Sequence, residues 1–217
     1  MREVNLENAI RTQQILALKV RLKWDRRDIL LIAGADFAYD SEDKRIQASI
    51  AVFKMPELEL LEISQAMRTT QFPYIPGFLA FREGPAFLEA FRRIRNRPDV
   101  TLIDGNGIAH PRKMGLASFV GVVLDICTIG CAKTPFYPFE YPSEWKGAYT
   151  YFTDEKQEKV GICLRTRGHV KPIFVSPGHR IDFDQARDIV LKCSKFRIPE
   201  PLRQAHRLAS RVFSRFR

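Results

Sequence analysis

The sequence has little cysteine, and none of it forms a Cys-x-x-Cys pair. The four cysteines are Cys127, Cys131, Cys163 and Cys193. Zinc sites and disulfide frameworks depend on closely spaced cysteines, whereas these lie in apolar sequence. We therefore expect four buried free thiols in a reducing cytoplasm, with neither a zinc site nor disulfides.

A long hydrophobic run is also missing. The longest apolar stretch, Leu116–Leu124, is followed by Asp125, and it is far shorter than the roughly 20 residues that a membrane-spanning helix needs. The N-terminus, Met1-Arg2-Glu3-Val4, mixes charges and has no apolar core of a signal peptide. We therefore expect a cytoplasmic protein without a membrane partner, and separately we expect a monomer.

Acidic residues are in deficit: 25 Asp and Glu face 35 Lys and Arg, for a net charge of +10. Residues 195–217 hold seven basic residues and one acidic residue, so this segment carries +6 and the other 194 residues carry +4. A basic excess attracts nucleic acids or anionic membranes, but it can also serve solubility. Charge alone favours a nucleic-acid partner only slightly.

Repeats and low-complexity linkers are absent, and the composition is that of a folded chain, with 45% hydrophobic and 28% charged residues. A length of 217 residues suits one domain with its own core, since domains commonly have roughly 100 to 200 residues. We therefore predict a single domain over residues 1–217 that ends in a basic C-terminal helix.

Hydrophobic periodicity predicts both helices and strands. Strands are predicted at residues 29–36, 46–52, 58–60, 100–104, 159–165 and 171–175, the first three as a meander, with a turn at 176–178. Helices are predicted at residues 6–24, 85–97 (capped by Gly84), 115–124 and 183–193 (capped by Asp182), and from Pro201 toward Phe216. This order indicates an α/β fold with a mixed central β-sheet flanked by helices.

Two carboxylates end predicted strands, Asp36 after residues 29–35 and Asp104 after residues 100–103. Either one alone is more simply explained as a loop cap. If the two strands are neighbours, however, their ends bring two anions together, and Mg²⁺ or Mn²⁺ would relieve the repulsion. In a basic protein such a site suggests metal-assisted phosphodiester chemistry. Glu83 precedes a predicted helix, where an interaction with the helix dipole explains it equally well.

Several strings resemble those of the endonuclease V family, nucleases that act on deaminated purines. They are Ala33-Gly34-Ala35-Asp36, Pro73-Tyr74-Ile75-Pro76-Gly77-Phe78-Leu79-Ala80-Phe81-Arg82-Glu83, Asp104-Gly105-Asn106-Gly107, His110-Pro111-Arg112-Lys113, Ala132-Lys133, Ile173-Phe174-Val175-Ser176-Pro177-Gly178-His179, and Ile198-Pro199-Glu200-Pro201 leading to His206. The resemblance runs in order over residues 29–206 and implies a ribonuclease H-like fold.

The resemblance also implies catalytic roles. Asp36 and Asp104 would hold the catalytic metal, Mg²⁺ with Mn²⁺ as an alternative, and Glu83 would complete the acidic cluster. Lys133 would reach the scissile phosphate, where an ammonium stabilises developing charge. His206 matches the family's late active-site histidine, although its place on the Leu202 side of the last helix would otherwise indicate a core histidine.

Substrate-binding residues follow from the same resemblance. Tyr74, between two stiff prolines, would be the wedge that fills the duplex when the damaged nucleotide leaves the stack. The residues expected around the flipped base or its nucleotide are Gly77, Leu79, Gly105, Gly107, His110 and Leu116. The glycines would let main-chain groups approach the base, although tight turns explain them as well.

The function that the resemblance implies is that of deoxyribonuclease V in DNA repair. Such an enzyme recognises deoxyinosine and nicks the second phosphodiester bond 3′ to it, leaving 3′-hydroxyl and 5′-phosphate ends. Two alternatives stay open: an endoribonuclease of the same family that cuts inosine-containing RNA, and a non-catalytic nucleic-acid-binding module. In each case the basic C-terminal helix would contact backbone phosphates.

Overall fold

The protein is described from a computed structural model, in which residues 5–24, 28–42 and 44–214 are defined. The helices are α1 Leu6–Ala17, α2 Leu79–Arg92, α3 Leu116–Leu124, α4 Phe183–Lys192 and α5 Glu200–Ser214. The strands are β1 Leu31–Tyr39, β2 Arg45–Lys54, β3 Glu59–Thr69, β4 Val100–Asp104, β5 Thr128–Ala132, β6 Tyr149–Thr153, β7 Lys159–Leu164 and β8 Ile173–His179. No helix within the defined ranges is long and apolar enough to cross a membrane.

The strands form one mixed sheet in the order β3-β2-β1-β4-β5-β8-β7-β6. β1, β2 and β3 pair antiparallel, which confirms the predicted meander, whereas β1, β4 and β5 run parallel. The strands from β5 through β8 and β7 to β6 pair antiparallel again. The predicted α/β class with a mixed central sheet is confirmed, and the carboxyl ends of β1, β4 and β5 meet at one edge.

Helices cover both faces of the sheet. α4 and α5 pack on one face, around Ile32 and Leu102, and α2 and α3 pack on the other, around Ala33 and Ile103. Side chains alternate between the two faces along a strand. Asp36 therefore points to the α5 face with Ile32, and Asp104 does so with Leu102.

Gly34 sets the distance between β1 and α5. A Cβ on Gly34 would lie 2.1 Å from the carbonyl carbon of Pro201, in the first turn of α5. Glycine is therefore required for the helix backbone to rest directly on the strand. This close approach lets His206, further along α5, reach Asp36 on β1.

The predicted boundaries of α1 and β1 are wrong. α1 ends at Ala17 rather than at Trp24, because the main chain at Arg21 bonds instead to the end of β8, where Arg21 N–H donates to His179 and Arg21 C=O accepts from Arg180. β1 continues past Asp36 to Tyr39, since its whole length pairs with β2. The final helix continues at least to Ser214, and its predicted end near Phe216 lies outside the defined residues.

The prediction was also wrong at two places where it relied on proline and glycine as signals for a helix start or a turn. α2 begins at Leu79, with Pro85 inside it, because the buried rings of Phe87 and Phe91 hold the helix against the sheet despite the missing N–H. Residues 176–178 were predicted as a turn but belong to β8. Pro177 is accommodated there by a register shift in the pairing with β5.

Two strands, β5 and β6, were not predicted. All five residues of β5 are buried, so the strand lacks the alternation that marks a half-exposed strand. All four cysteines are free and buried, as predicted. Asp182 also caps α4 as predicted, accepting the N–H of Gln185 at 2.8 Å.

The contact at Gly34 leads to a stability prediction. Gly34→Ala should lower the free energy of unfolding by about 1–3 kcal/mol, as overpacking does, because backbone atoms of α5 cannot yield as a flexible side chain would. Urea unfolding measures the change. In the control Gly168→Ala, the nearest atom to the added Cβ is 3.5 Å away, so the expected change is within about 0.5 kcal/mol. Equal stability of both variants would contradict this account of α5 packing.

Candidate functional site

The two predicted aspartates lie side by side. Ala35 of β1 pairs with Ile103 of the parallel strand β4, so the following residues, Asp36 and Asp104, occupy neighbouring strands on the same face. Asp36 is buried, and Asp104 is partly exposed. The structure therefore brings together the two side chains that the sequence indicated.

Each aspartate has one basic partner. Asp36 Oδ2 lies 2.7 Å from Nδ1 of His206 on α5, and Asp36 Oδ1 accepts the N–H of Phe37 at 2.7 Å. Asp104 Oδ2 accepts a hydrogen bond of 2.5 Å from Nζ of Lys133, which follows β5. His206 is 59% exposed at its side chain, so it is not a core histidine.

Glu83 reaches the same site from α2 on the other face of the sheet. It is buried, and its Oε1 accepts a hydrogen bond from the hydroxyl of Tyr39 at the end of β1. Its Oε2 is also buried and has no hydrogen-bond partner among the defined residues. Burial raises the pKa of Glu83 to about 8, and the negative charges of Asp36 and Asp104 add to the rise.

The electrostatics of the site favour a cation. Burial raises the pKa of Asp36, the charge of Asp104 raises it further, and the Phe37 N–H and the ammonium of Lys133 oppose the rise. Within the defined residues, no three His, Cys, Asp or Glu side chains are arranged to hold one metal ion together. Mg²⁺, however, is commonly bound by one or two carboxylates plus water and substrate phosphate. The two crowded carboxylates of Asp36 and Asp104 suit such an ion.

A cleft of about 460 Å³ opens beside the carboxylates. Six of the predicted substrate-binding residues line it: Tyr74, Gly77, Leu79, Gly105, His110 and Leu116. Asp36, Glu83, Asp104 and Lys133 line the same cleft. Its size is in the range of small-molecule sites. Tyr74 stands at the cleft with 66% of its surface exposed.

The three predicted glycines differ in their surroundings. Gly77 and Gly105 line the cleft with φ values of +81° and +142°, which residues with a side chain rarely adopt. Gly107 is not among the cleft residues. A Cβ on Gly107 would lie 2.0 Å from the carbonyl oxygen of Pro177, and its N–H donates to Ser176 at 2.8 Å. Gly107 therefore packs its loop against β8.

His110 is buried and uses both ring nitrogens inside the protein. Nε2 lies 3.0 Å from the carbonyl oxygen of Gly77, and Nδ1 accepts the N–H of Arg112 at 3.1 Å. Burial lowers the pKa of His110 to about 4, and the charge of Arg112 lowers it further. The ring is therefore neutral at pH 7, with Nε2 carrying the proton.

A second cavity of about 180 Å³ lies on the α5 side of the carboxylates. It shares Asp36, Asp104 and Lys133 with the larger cleft and adds His206 and Arg203. The guanidinium of Arg203 is already paired with Glu200 at 2.8 and 2.9 Å. The acidic pair is thus accessible from two sides.

Three residues at the site were not predicted to have a role. Tyr39 bonds to Glu83, and Gln13 and Arg112 bond to the carbonyl of Gly77. A polar residue on the buried face of α1 was a possible signal for Gln13. Arg112 lies within the His110-Pro111-Arg112-Lys113 string but was given no function, and nothing in the sequence distinguishes Tyr39.

Comparisons with known proteins agree on one family. A family model described as Endonuclease V matches residues 14–207. The endonuclease V of Dictyoglomus turgidum is 43% identical over 210 residues, which cover 96% of this chain and 91% of that protein.

Solved structures are similar as well. The Streptomyces avermitilis endonuclease V is 37% identical with a TM-score of 0.93, covering 99% of this chain and 95% of that chain. A variant of the Ciona intestinalis endonuclease V, solved with a 23mer DNA containing an inosine followed by a ribo-adenosine, is 27% identical with a TM-score of 0.88 and 98% of each chain covered.

The site geometry predicts how Lys133 acts on Asp36. Since the ammonium opposes the rise in the pKa of Asp36, Lys133→Met should raise that pKa further in the metal-free protein. A ¹³C NMR titration of the carboxyl carbons measures it. Lys159→Met, which removes a lysine on β7, should leave the Asp36 titration unchanged. A lower pKa in Lys133→Met would show that the ammonium does not face the acidic pair.

Proposed function

The chain is a member of the endonuclease V family, a family of metal-dependent nucleases, and on that premise we propose that it cuts DNA at deoxyinosine, the product of adenine deamination. Its sheet and helices form the ribonuclease H-like fold of that family. We place the cut at the second phosphodiester bond 3′ to the lesion, leaving 3′-hydroxyl and 5′-phosphate ends. The supporting observation is that Asp36, Asp104 and Glu83 line the same cleft.

We assign the metal to Asp36 and Asp104, with Mg²⁺ as the ion and Mn²⁺ as an alternative. Both prefer carboxylate oxygens, and the remaining ligand positions suit water and a substrate phosphate. When bound, such an ion lowers the pKa of water and stabilises charge on phosphoryl oxygens. Glu83, with one unpartnered buried oxygen, completes the acidic set.

Two basic residues, Lys133 and His206, would interact with the scissile phosphate. The ammonium of Lys133, now held by Asp104, can turn to a phosphoryl oxygen and stabilise the charge that develops there. His206 keeps Nδ1 on Asp36, which fixes its ring and leaves Nε2 toward the exposed side. That nitrogen can hold a water or a proton at the reacting phosphate.

The cleft would take the flipped base. Gly77 and Gly105 give main-chain groups access to it, Leu79 and Leu116 form apolar walls, and Tyr74 would replace the base in the duplex. We further propose that the chain works as one domain, since α5 packs on β1 and supplies His206 to the site. The exposed Arg207 and Arg211 of α5 would contact backbone phosphates in a salt-dependent way.

The decisive experiment compares three substrates with purified protein. They are a duplex with one deoxyinosine, the same duplex with adenine, and a single-stranded RNA with one inosine, each with Mg²⁺ or with EDTA. We expect nicking of the deoxyinosine strand in Mg²⁺ alone, at the second bond 3′ to the lesion. Faster cleavage of the RNA would instead support the endoribonuclease, and binding without any nick would support a non-catalytic module.

The metal assignment predicts the effect of a single substitution. Asp104→Asn should reduce nicking at least about a hundredfold, because losing one group that stabilises developing charge already costs about 10²–10³ in rate. Its unfolding curve should stay close to that of the native chain. Asp188→Asn, on the surface of α4, serves as the control and should keep full activity. Unimpaired nicking by Asp104→Asn in Mg²⁺ would refute the assignment.

The wedge assignment concerns selectivity. Tyr74→Ala should reduce discrimination between deoxyinosine and adenine duplexes about tenfold, since unstacking a base step costs a few kcal/mol that the ring would no longer offset. The ratio of kcat/KM for the two duplexes measures it. Tyr141 is exposed to a similar extent, 68% against 66% for Tyr74, so Tyr141→Ala is a matched control. If both variants discriminate like the native chain, Tyr74 is not the wedge.

A further inference from the structure

The carbonyl of Gly77 is held by three side chains. Nε2 of Gln13 donates to it at 3.0 Å, Nη2 of Arg112 donates at 2.6 Å, and Nε2 of His110 lies 3.0 Å away. A carbonyl oxygen has two lone pairs, so three donors saturate it. This oxygen is therefore fixed in direction by contacts within the protein.

Gln13 is the centre of this contact. It projects from α1 and is fully buried, with 0% of its surface exposed. Besides Gly77, its Nε2 donates to the carbonyl of Met114 at 3.1 Å, and its Oε1 accepts from Nε of Arg112 at 2.6 Å. One side-chain amide thus joins three segments: α1, the turn that ends at Gly77, and the loop of residues 110–114.

The contact between Arg112 and Gly77 is closely packed. The guanidinium of Arg112 lies over the ring of Phe78, 4.4 Å from its centroid. A Cβ on Gly77 would approach Nη2 of Arg112 to 2.9 Å, and the φ of +81° at Gly77 also requires glycine. The turn is therefore tied at its C-terminal end, three residues after Tyr74.

We propose that Gln13 is a positioning residue for lesion recognition, which acts by fixing the turn that carries Tyr74. The inference rests on the proposed function, in which the Tyr74 ring enters the duplex. An inserted aromatic ring can keep a base step open only if the turn that carries the ring is rigid. Pro73 and Pro76 stiffen the turn itself, and the clamp of Gln13 and Arg112 on Gly77 fixes it relative to the cleft.

The test compares neighbours on α1. Gln13→Met keeps the side chain's length but removes its donors and acceptor, whereas Gln14→Ala alters an exposed residue one position further on. We expect Gln13→Met to reduce the ratio of kcat/KM for deoxyinosine over adenine duplexes about tenfold, which equals about 1.4 kcal/mol. Gln14→Ala should match the native chain. Arg112→Lys keeps the positive charge but loses the planar guanidinium with its several donors. It should reduce discrimination as Gln13→Met does, and it replaces Gln13→Met in the test if that variant does not fold.

Two further readouts separate positioning from a general structural role. Amide hydrogen exchange at Tyr74, Ile75, Gly77 and Phe78 should become faster in Gln13→Met, while exchange in the central strands stays unchanged. In a Tyr74→Ala background, Gln13→Met should cause little further loss of discrimination, because the wedge is already gone. A full additional loss in that background, unchanged exchange in the turn, or faster exchange with unchanged discrimination would each overturn the proposal.

Failure of the proposed function would look different. A native chain that nicks neither duplex in Mg²⁺ would contradict that function before any variant is compared. Hydrogen exchange would then still test whether Gln13 and Arg112 fix the turn at Gly77, because that measurement requires no cleavage.

Discussion

The constraint on which the structure depends is the placement of two carboxylates at the shared end of parallel strands. Asp36 and Asp104 face the same side of the sheet, and burial together with their like charge makes the ionised pair costly. The fold offsets that cost with one basic residue for each carboxylate, His206 and Lys133. The remaining repulsion is what a divalent cation would relieve.

The parts that surround the pair come from distant stretches of the chain. α5 reaches Asp36 only because Gly34 lets its first turn rest on β1, and Lys133 reaches Asp104 because β5 lies next to β4. Glu83 arrives from the opposite face, where Tyr39 holds one of its oxygens. As a result, the acidic pair separates two cavities of about 460 and 180 Å³.

Charge has two roles in this protein. The excess of +10 attracts a polyanion in general, whereas the site itself places carboxyl groups beside Lys133 and His206. Arg203 shows that basic residues of the C-terminal segment are not all directed to a ligand, since it pairs with Glu200 in its own helix. In the proposed function, recognition therefore rests on the cleft, the turn of Tyr74 and the carboxylates.

Several features could be predicted from local pattern alone. Alternation located β2, an apolar run located β4, and the Asp182 cap marked the start of α4. Predictions from local sequence pattern were wrong where a tertiary contact overrides the local preference. α1 stops at Ala17 because its continuation bonds to the end of β8, α2 includes Pro85 because its aromatic face is buried, and β5 is buried throughout and so has no alternation.

By itself, the sequence determined the fold class, the family strings and the residue types of the site: two aspartates after apolar strands, a lysine, a late histidine, and a tyrosine between prolines. Only the tertiary structure decided which of them meet. His206 and Asp36 are 170 residues apart in the chain, and Gln13 and Gly77 are 64 apart. Periodicity reports which face of an element is buried, whereas such contacts depend on how sheet and helices pack. For that reason Gly107 packs against β8, and Gln13, to which no role was predicted, contacts the turn at Gly77.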